Sequence, residues 1–289
     1  MVSLAAALPL AATGLQPQQP PNFASLERLQ STDDMLVLID FDRTLTTGQS
    51  DQCHDVLGES AQLPGSLRAS FAPLLDFSRP FPPELQGDSW WREANRILLS
   101  HRQQISRDAV QLSVRRADIH LRPGAERLLR TLHARRVPTL VVSAGFSNVV
   151  EEVLTGCAGV DRASYSVASN QLIFGEESGT LEGIQPSDEP VTSNNKASTY
   201  ARNRAWFTRH AHRTRLLLLG DKISDLDMGA GARADGYVCV GVGIRNDEPD
   251  GANYPDHAAF AAAFDELLVG DKGSLDPLTQ ALERLPDGE

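Results

Sequence analysis

The chain reads as an α/β protein, a doubly wound and mostly parallel sheet with a helical cap inserted after the first strand. Three observations predict this. Short apolar runs recur at 35–39 (MLVLI), 138–142 (PTLVV), 165–168, 215–219 (RLLLL) and 237–242, and runs this continuous suit strands buried on both faces of a parallel sheet. Amphipathic segments at 124–136 (GAERLLRTLHARR), 146–154 and 198–210 stand between them as crossovers. The rhythm breaks once: about 80 residues separate the first strand from the helix after Pro123, far more than the roughly 2 to 6 of a usual βα loop.

Taken in order, residues 1–30 read as a disordered leader rich in Pro and Gln (QPQQPPN). Its apolar run at 4–12 (LAAALPLAA) has the length of a signal-peptide core but no basic start, so a cleaved targeting signal is the alternative. The core is expected over 31–47 and 121–289, and the cap over 48–120. Within the cap, 88–100 (DSWWREANRILLS) and 106–117 carry helical spacing, and 78–83 (SRPFPP) must be a non-helical link. The small polar stretch 46–50 (TTGQS) is the expected hinge. After the third strand, 171–181 (QLIFGEESGTL) alternates and turns at Gly175 to Gly179, which predicts a hairpin on the sheet edge. The tail, 259–285, offers two helix-like pieces broken at 270–273, with no chemistry of its own.

Composition narrows the function. With 27 Lys and Arg against 38 Asp and Glu, the net charge of −11 argues against nucleic acid or an anionic membrane as partner. A phosphate site would have to make its own local positive charge. No apolar run reaches the roughly 18 residues of a membrane helix. Cys53, Cys157 and Cys239 are odd in number and far apart, which predicts reduced thiols and a cytoplasmic protein. The partner expected is a small-molecule substrate, taken by a monomer.

Open α/β sheets bind ligands beyond the carboxyl ends of their strands, so the residues after each apolar run are the candidates. Strand one ends in Asp40-Phe41-Asp42-Arg43-Thr44, strand two in Ser143-Ala144-Gly145 and strand four in Gly220-Asp221, with Ser224-Asp225 just after; Lys196 lies between strands three and four. Carboxylates this close repel one another and want a cation. Asp40, Asp42 and Asp221 form a hard oxygen set suited to Mg²⁺, and Lys196 adds a second positive charge against a phosphate. Ser143 and the N–H groups of Ala144 and Gly145 are expected to donate to phosphoryl oxygens, with Thr44 closing the first loop in the same way. Taken singly, a DxD is usually a solvated turn, Ser143 a strand end and Lys196 a surface lysine; together and in this order they point to a phosphatase.

This constellation resembles the haloacid dehalogenase superfamily, and more closely its cytosolic (type III) pyrimidine 5′-nucleotidase family. The similar segments are DFDRTLT, Cys53-His54-Asp55, SWWREANRILL, LRPGAERLLRTLHARRVPTLVVSAGFSNVVEEVL, VASNQLIF, NNKAS, LLLLGDKISDLDMGAG and VGIRND. The resemblance implies hydrolysis of nucleoside 5′-monophosphates, of pyrimidine or 7-methylguanosine type, through an aspartyl-phosphate. Asp40 would be the nucleophile and Asp42 the general acid and base. Mg²⁺ would be held by Asp40, the Asp42 carbonyl and Asp221; Ser143, Ala144 and Lys196 would hold the phosphate, and Asp225 would orient Lys196 or a metal-bound water. His54 would lie near a nucleobase, and Trp90 or Trp91 would stack on it or belong to the cap core. The glutamate with which the family reads the base has no counterpart near 74–80 beyond Asp76, and Arg43 and Lys222 are expected to face solvent. The competing readings are a phosphatase for another small ester, such as phosphoserine or a sugar phosphate, and a non-catalytic binding protein on the same fold.

Overall fold

The computed structural model of the chain describes residues 23–247 and 257–287. Among them, β1 (Met35–Asp40), β2 (Thr139–Phe146), β3 (Ser166–Phe174), β4 (Leu181–Gln185), β5 (Arg215–Gly220), β6 (Val238–Arg245) and β7 (Glu266–Val269) form one sheet in the order β4-β3-β2-β1-β5-β6-β7. Every pairing is parallel except β3 with β4, as expected for a doubly wound sheet carrying a hairpin at its edge. β1 is central, with Ile39 opposite Val141 on one side and Leu219 on the other. Its unbroken apolar run has a plain cause: Met35, Val37 and Ile39 enter the core on one face, while Leu36 and Leu38 enter the core on the other.

The cap contains α1 (Cys53–Gly58), α2 (Gly65–Leu75), α3 (Ser89–Ser100) and α4 (Arg107–Arg116). α3 buries Trp90, Ala94, Ile97 and Leu98, one helical stripe, beside Leu67, Phe71 and Leu74 of α2. α4 starts where Ser106 Oγ accepts from Ala109 N at 3.1 Å. α2 escapes a reading of periodicity because Gly65 opens it and Pro73 lies inside it. From the cap the chain returns through α5 (Ala125–Ala134) to β2, and α6 (Ser147–Glu151) follows β2. Gly124 starts α5 at φ 83°, and a Cβ there would lie 2.7 Å from Asp276 N.

Several expectations are corrected. Residues 1–22 of the expected leader lie outside the described residues, but Ala24–Leu29 is a 3₁₀ turn with Leu26 and Leu29 buried, so the core begins before residue 31. Among the bonds that fasten it, Arg28 Nη2 donates to Cys239 O at 2.7 Å, Arg215 Nη1 to Arg28 O at 2.7 Å, and Ser25 N to Glu266 Oε1 at 3.0 Å. The third strand does not stop at 168; it continues as β3 through the first arm of the hairpin. The tail holds a strand, β7, between its helices His257–Ala263 and Asp276–Glu283, because the short run ELLV finds an open edge beside β6.

The expected hinge is not loose. Thr46 pairs with Leu121, Thr47 N donates to His120 O at 2.9 Å, Gly48 N donates to Asp271 O at 3.1 Å, and Thr46, Thr47 and Ser50 are buried. A second seam ties the far side of the cap to the hairpin, where Arg107 N donates to Gly179 O at 2.9 Å and Leu181 N to Ile105 O at 2.8 Å. The cap is thus seated over the carboxyl ends of the strands by backbone bonds on two sides. Among the described residues no helix is long and apolar enough to cross a membrane.

Candidate active site

β1 delivers Asp40 to the sheet's carboxyl edge, and the chain then turns sharply. Asp42 keeps an extended backbone, whereas Arg43 takes φ 62° and ψ 3°, a left-handed conformation that a non-glycine residue holds only where its surroundings fix it. Those surroundings are polar. Arg43 N donates to Thr46 Oγ1 at 2.7 Å. The guanidinium of Arg122, buried just before α5, donates to Arg43 O (2.9 Å), Thr44 O (3.0 Å), Gly270 O (2.9 Å), Gly273 O (3.2 Å) and Asn246 Oδ1 (2.7 Å). Asn246 Nδ2 donates back to Arg43 O at 3.1 Å. Arg43 is therefore half-buried at the turn and does not stand out in solvent.

The charged residues predicted from their places after the strands do converge. Lys196 Nζ lies 2.5 Å from Asp40 Oδ1 and 2.6 Å from Asp225 Oδ1, with all three side chains buried. The second oxygen of Asp225 accepts from Lys222 N at 2.8 Å, and that of Asp40 from Thr44 Oγ1 at 3.1 Å. Thr44 thus orients the Asp40 carboxylate; its hydroxyl is spent there and is not free for a phosphate. Lys222 lines the cavity instead of facing solvent.

Burial pushes the Asp221 carboxyl well up, and the neighbouring Asp225 and Asp40 push it further. Burial raises Asp40 too, with Lys196 opposing. For Lys196 burial favours the neutral amine, but Asp225 and Asp40 outweigh it and hold the ammonium. Oxygens of Asp40, Asp221 and Asp225 lie within 4.8 Å of one another. A buried set of hard carboxylate oxygens, in which Asp221 faces burial and two like charges, fits a small divalent cation. The Asp42 side chain stands apart from that trio. It accepts from Cys53 N at 3.1 Å, and burial followed by the charge of Asp40 pushes its carboxyl up to about 7.

Near the end of β2, Ala144 and Gly145 line the cavity, while Ser143 is wholly buried behind them. Ser143 Oγ accepts from Gly145 N at 2.9 Å, so that amide is used inside the turn and is not available to a ligand. Gly145 must be glycine, because a Cβ would lie 2.3 Å from Cys53 Cβ. Asn170, buried in β3, binds both walls of the site: its Nδ2 donates to Ala144 O (3.0 Å), Gly145 O (3.1 Å) and Val191 O (2.9 Å), and its Oδ1 accepts from Val191 N (2.9 Å). Asn170, Arg122 and Asn246 are absent from the residues the strand ends point to, although each lies in a segment that carried the family resemblance.

Above the charges lies a cavity of about 630 Å³ between core and cap, walled by His54, Phe77, Phe81, Trp90 and Trp91, with Gln52, Asp55, Gln86 and Asn194 as polar groups. Trp90 has both expected characters: it lines the cavity, yet its Nε1 donates to Leu74 O at 2.9 Å inside the cap core. Trp91 is half-buried and also faces the cavity. Asp76 does not stand in for a base-reading glutamate; it accepts from Ser78 N at 3.1 Å and pairs with Arg79, while its neighbours Leu75 and Phe77 line the space.

His54 packs against Trp90 at 4.8 Å and Phe146 at 5.2 Å, and burial lowers its imidazole from 6.5 to about 4. Between those values the unfolded chain binds a proton that the folded chain does not, so stability is fully present above pH 6.5 and falls as pH drops towards 4. Wild type should lose up to about 3 kcal/mol relative to His54→Phe over that window. Urea midpoints of the two proteins from pH 7.5 to 4.5 check this; a pH-independent difference would refute it.

Comparison with known proteins bears on what this arrangement is for. The family model for pyrimidine 5′-nucleotidase (UMPH-1) matches residues 49–285, beginning just after the Asp40 to Thr44 turn. The 7-methylguanosine phosphate-specific 5′-nucleotidase A of Xenopus laevis is 25% identical over 250 residues, which cover 82% of each chain. In solved structures, cytosolic 5′-nucleotidase IIIB bound to cytidine superposes with a TM-score of 0.67 at 21% identity, covering 89% of this chain and 88% of its own. Substrate-bound phosphoserine phosphatase gives 0.51 at 17% identity, covering 85% of this chain and 96% of its own. At such identities the two structures speak for a shared fold, the haloacid dehalogenase core.

Proposed function

The chain belongs to the pyrimidine 5′-nucleotidase (UMPH-1) family, and from that premise we propose that it is a Mg²⁺-dependent 5′-nucleotidase for nucleoside 5′-monophosphates of pyrimidine or 7-methylguanosine type. The observation that carries the reading is the Lys196 ammonium fixed between Asp40 and Asp225 directly beneath an aromatic-walled cavity. A phosphate monoester with a flat leaving group matches both halves of that site.

Asp40, Asp221 and Asp225 would hold Mg²⁺ with the carbonyl of Asp42, and the bound ion would neutralise the phosphate that a carboxylate must approach. Lys196 supplies the second neutralising charge and, with Thr44, fixes the attacking carboxylate. Asp40 forms a bond to phosphorus as the ester P–O bond breaks, leaving an aspartyl-phosphate. The proton that the departing nucleoside oxygen needs comes from Asp42, whose elevated pKa of about 7 keeps a protonated fraction at neutral pH. Asp42 then takes a proton from water, which attacks phosphorus and frees Asp40. Ala144 N–H is the donor left to the phosphate by the β2 turn, with Ser143 and Gly145 shaping it. The enzyme acts as a cytoplasmic monomer with reduced cysteines.

Phosphate release from UMP, CMP, 7-methylguanosine monophosphate, AMP, phosphoserine and a sugar phosphate, with and without Mg²⁺, tests the reading. Preference for pyrimidine or 7-methylguanosine nucleotides, dependent on Mg²⁺, is expected. Turnover of small esters with none of any nucleotide would leave the chemistry standing and remove the nucleotide.

A further inference from the structure

We propose that Asp88, at the start of cap helix α3, is a positioning residue that makes the site select large leaving groups, by latching the cap to the segment that carries Lys196. The inference rests on the nucleotidase reading for its substrate. Asp88 Oδ1 accepts from Thr192 Oγ1 at 2.7 Å and from Asn194 Nδ2 at 3.1 Å, partners 104 and 106 residues away in the chain. Thr192 is fully buried, and its Oγ1 in turn accepts from Asn194 N at 3.2 Å, so the carboxylate closes a small ordered ring of polar groups. On the core side the same segment is gripped by Asn170 through Val191.

Residues from both sides of this latch line one cavity. Trp90 and Trp91 follow Asp88 on α3, and Asn194 and Lys196 follow Thr192 on the core. Asp88 therefore sets the spacing between the aromatic wall and the ammonium. A phosphate bound at Lys196 needs only the core. A leaving group long enough to reach the tryptophans needs that spacing as well, so loss of the latch should fall on large leaving groups. Both contacts use one acceptor oxygen, which an asparagine retains.

The test compares wild type, Asp88→Ala and Asp88→Asn in two measurements. The first is kcat/KM for UMP and for acetyl phosphate, whose leaving group cannot span the cavity. The second is hydrogen exchange of the α3 amides, which needs no substrate. Asp88→Ala should lose about tenfold or more in kcat/KM for UMP beyond any loss for acetyl phosphate, chiefly through KM, the scale of one lost hydrogen bond to a charged group. It should also exchange α3 faster, and Asp88→Asn should restore both. Equal losses on the two substrates, or α3 exchange unchanged in Asp88→Ala, would overturn the latch. If wild type hydrolyses acetyl phosphate but no nucleotide, the nucleotidase reading fails, and exchange alone decides whether Asp88 holds the cap.

Discussion

Asp40→Asn should reduce phosphate release from the best nucleotide by about 10⁴-fold or more, while the chain stays folded. The amide has nearly the shape of the carboxylate but lacks a nucleophilic oxygen of comparable strength. Asp42 is held by Cys53 N, Asp225 is occupied by Lys196 and the backbone of Lys222, and Asp221 is given to the metal in the proposed reading, so none of the three is expected to take its place. Stability should move little, because Lys196 keeps its 2.6 Å contact with Asp225 and one of several mutually repelling buried acids is removed. Single-turnover phosphate release and a thermal melt, read side by side, check both halves. Substantial turnover in a folded Asp40→Asn protein would exclude the aspartyl-phosphate route.

Arg122→Met should be the most damaging single change away from the reacting atoms. The buried guanidinium satisfies four backbone carbonyls and the Asn246 side chain, and it is what holds the left-handed turn between Asp40 and Thr44. Methionine fills similar space but takes the donor from Thr44 O, Gly273 O and Asn246 Oδ1, while Arg43 O keeps its bond from Asn246 Nδ2 and Gly270 O its bond from Gly273 N. Unsatisfied buried acceptors cost about 1 to 3 kcal/mol each, and partial relaxation still leaves an expected loss of about 4 kcal/mol. Arg122→Lys should recover little of it, since a single ammonium cannot reproduce the planar fork. Urea denaturation measures the loss; a change under about 1 kcal/mol would show that the turn is held by other means.

What could be read from the sequence divides along a physical line. Asp40, Lys196, Asp221 and Asp225 were legible because each follows an apolar run or lies between two, and a parallel sheet brings all its strand ends to one edge. β1, β2 and β5 were legible because burial on both faces leaves an unbroken apolar run. Arg122, Asn170 and Asp88 were not, since their roles consist of hydrogen bonds to residues distant in the chain, 148 positions for Arg122 to Gly270, 104 for Asp88 to Thr192 and 26 for Asn170 to Ala144, and burial periodicity carries no trace of such bonds. The hydroxyl of Thr44 and the amide of Gly145 were read as donors to a ligand; residue type cannot reveal that local partners already use them. β7 was hidden because four residues between helices are too short to display a period. Asp76 had the right charge in the right stretch, but the turn at Ser78 draws it away from the cavity.

The clamp formed by Arg122 should also govern when the enzyme first becomes active. One of the carbonyls it holds, Gly273 O, lies 151 residues further along the chain. During synthesis Asp40, the Ser143 to Gly145 turn and Lys196 all emerge well before that segment, yet the turn that follows Asp40 lacks part of its support until the segment arrives and docks. A nascent or C-terminally shortened chain would carry every reacting group and still be a poor catalyst, so phosphatase activity reports on completion of the fold and not on possession of the motif.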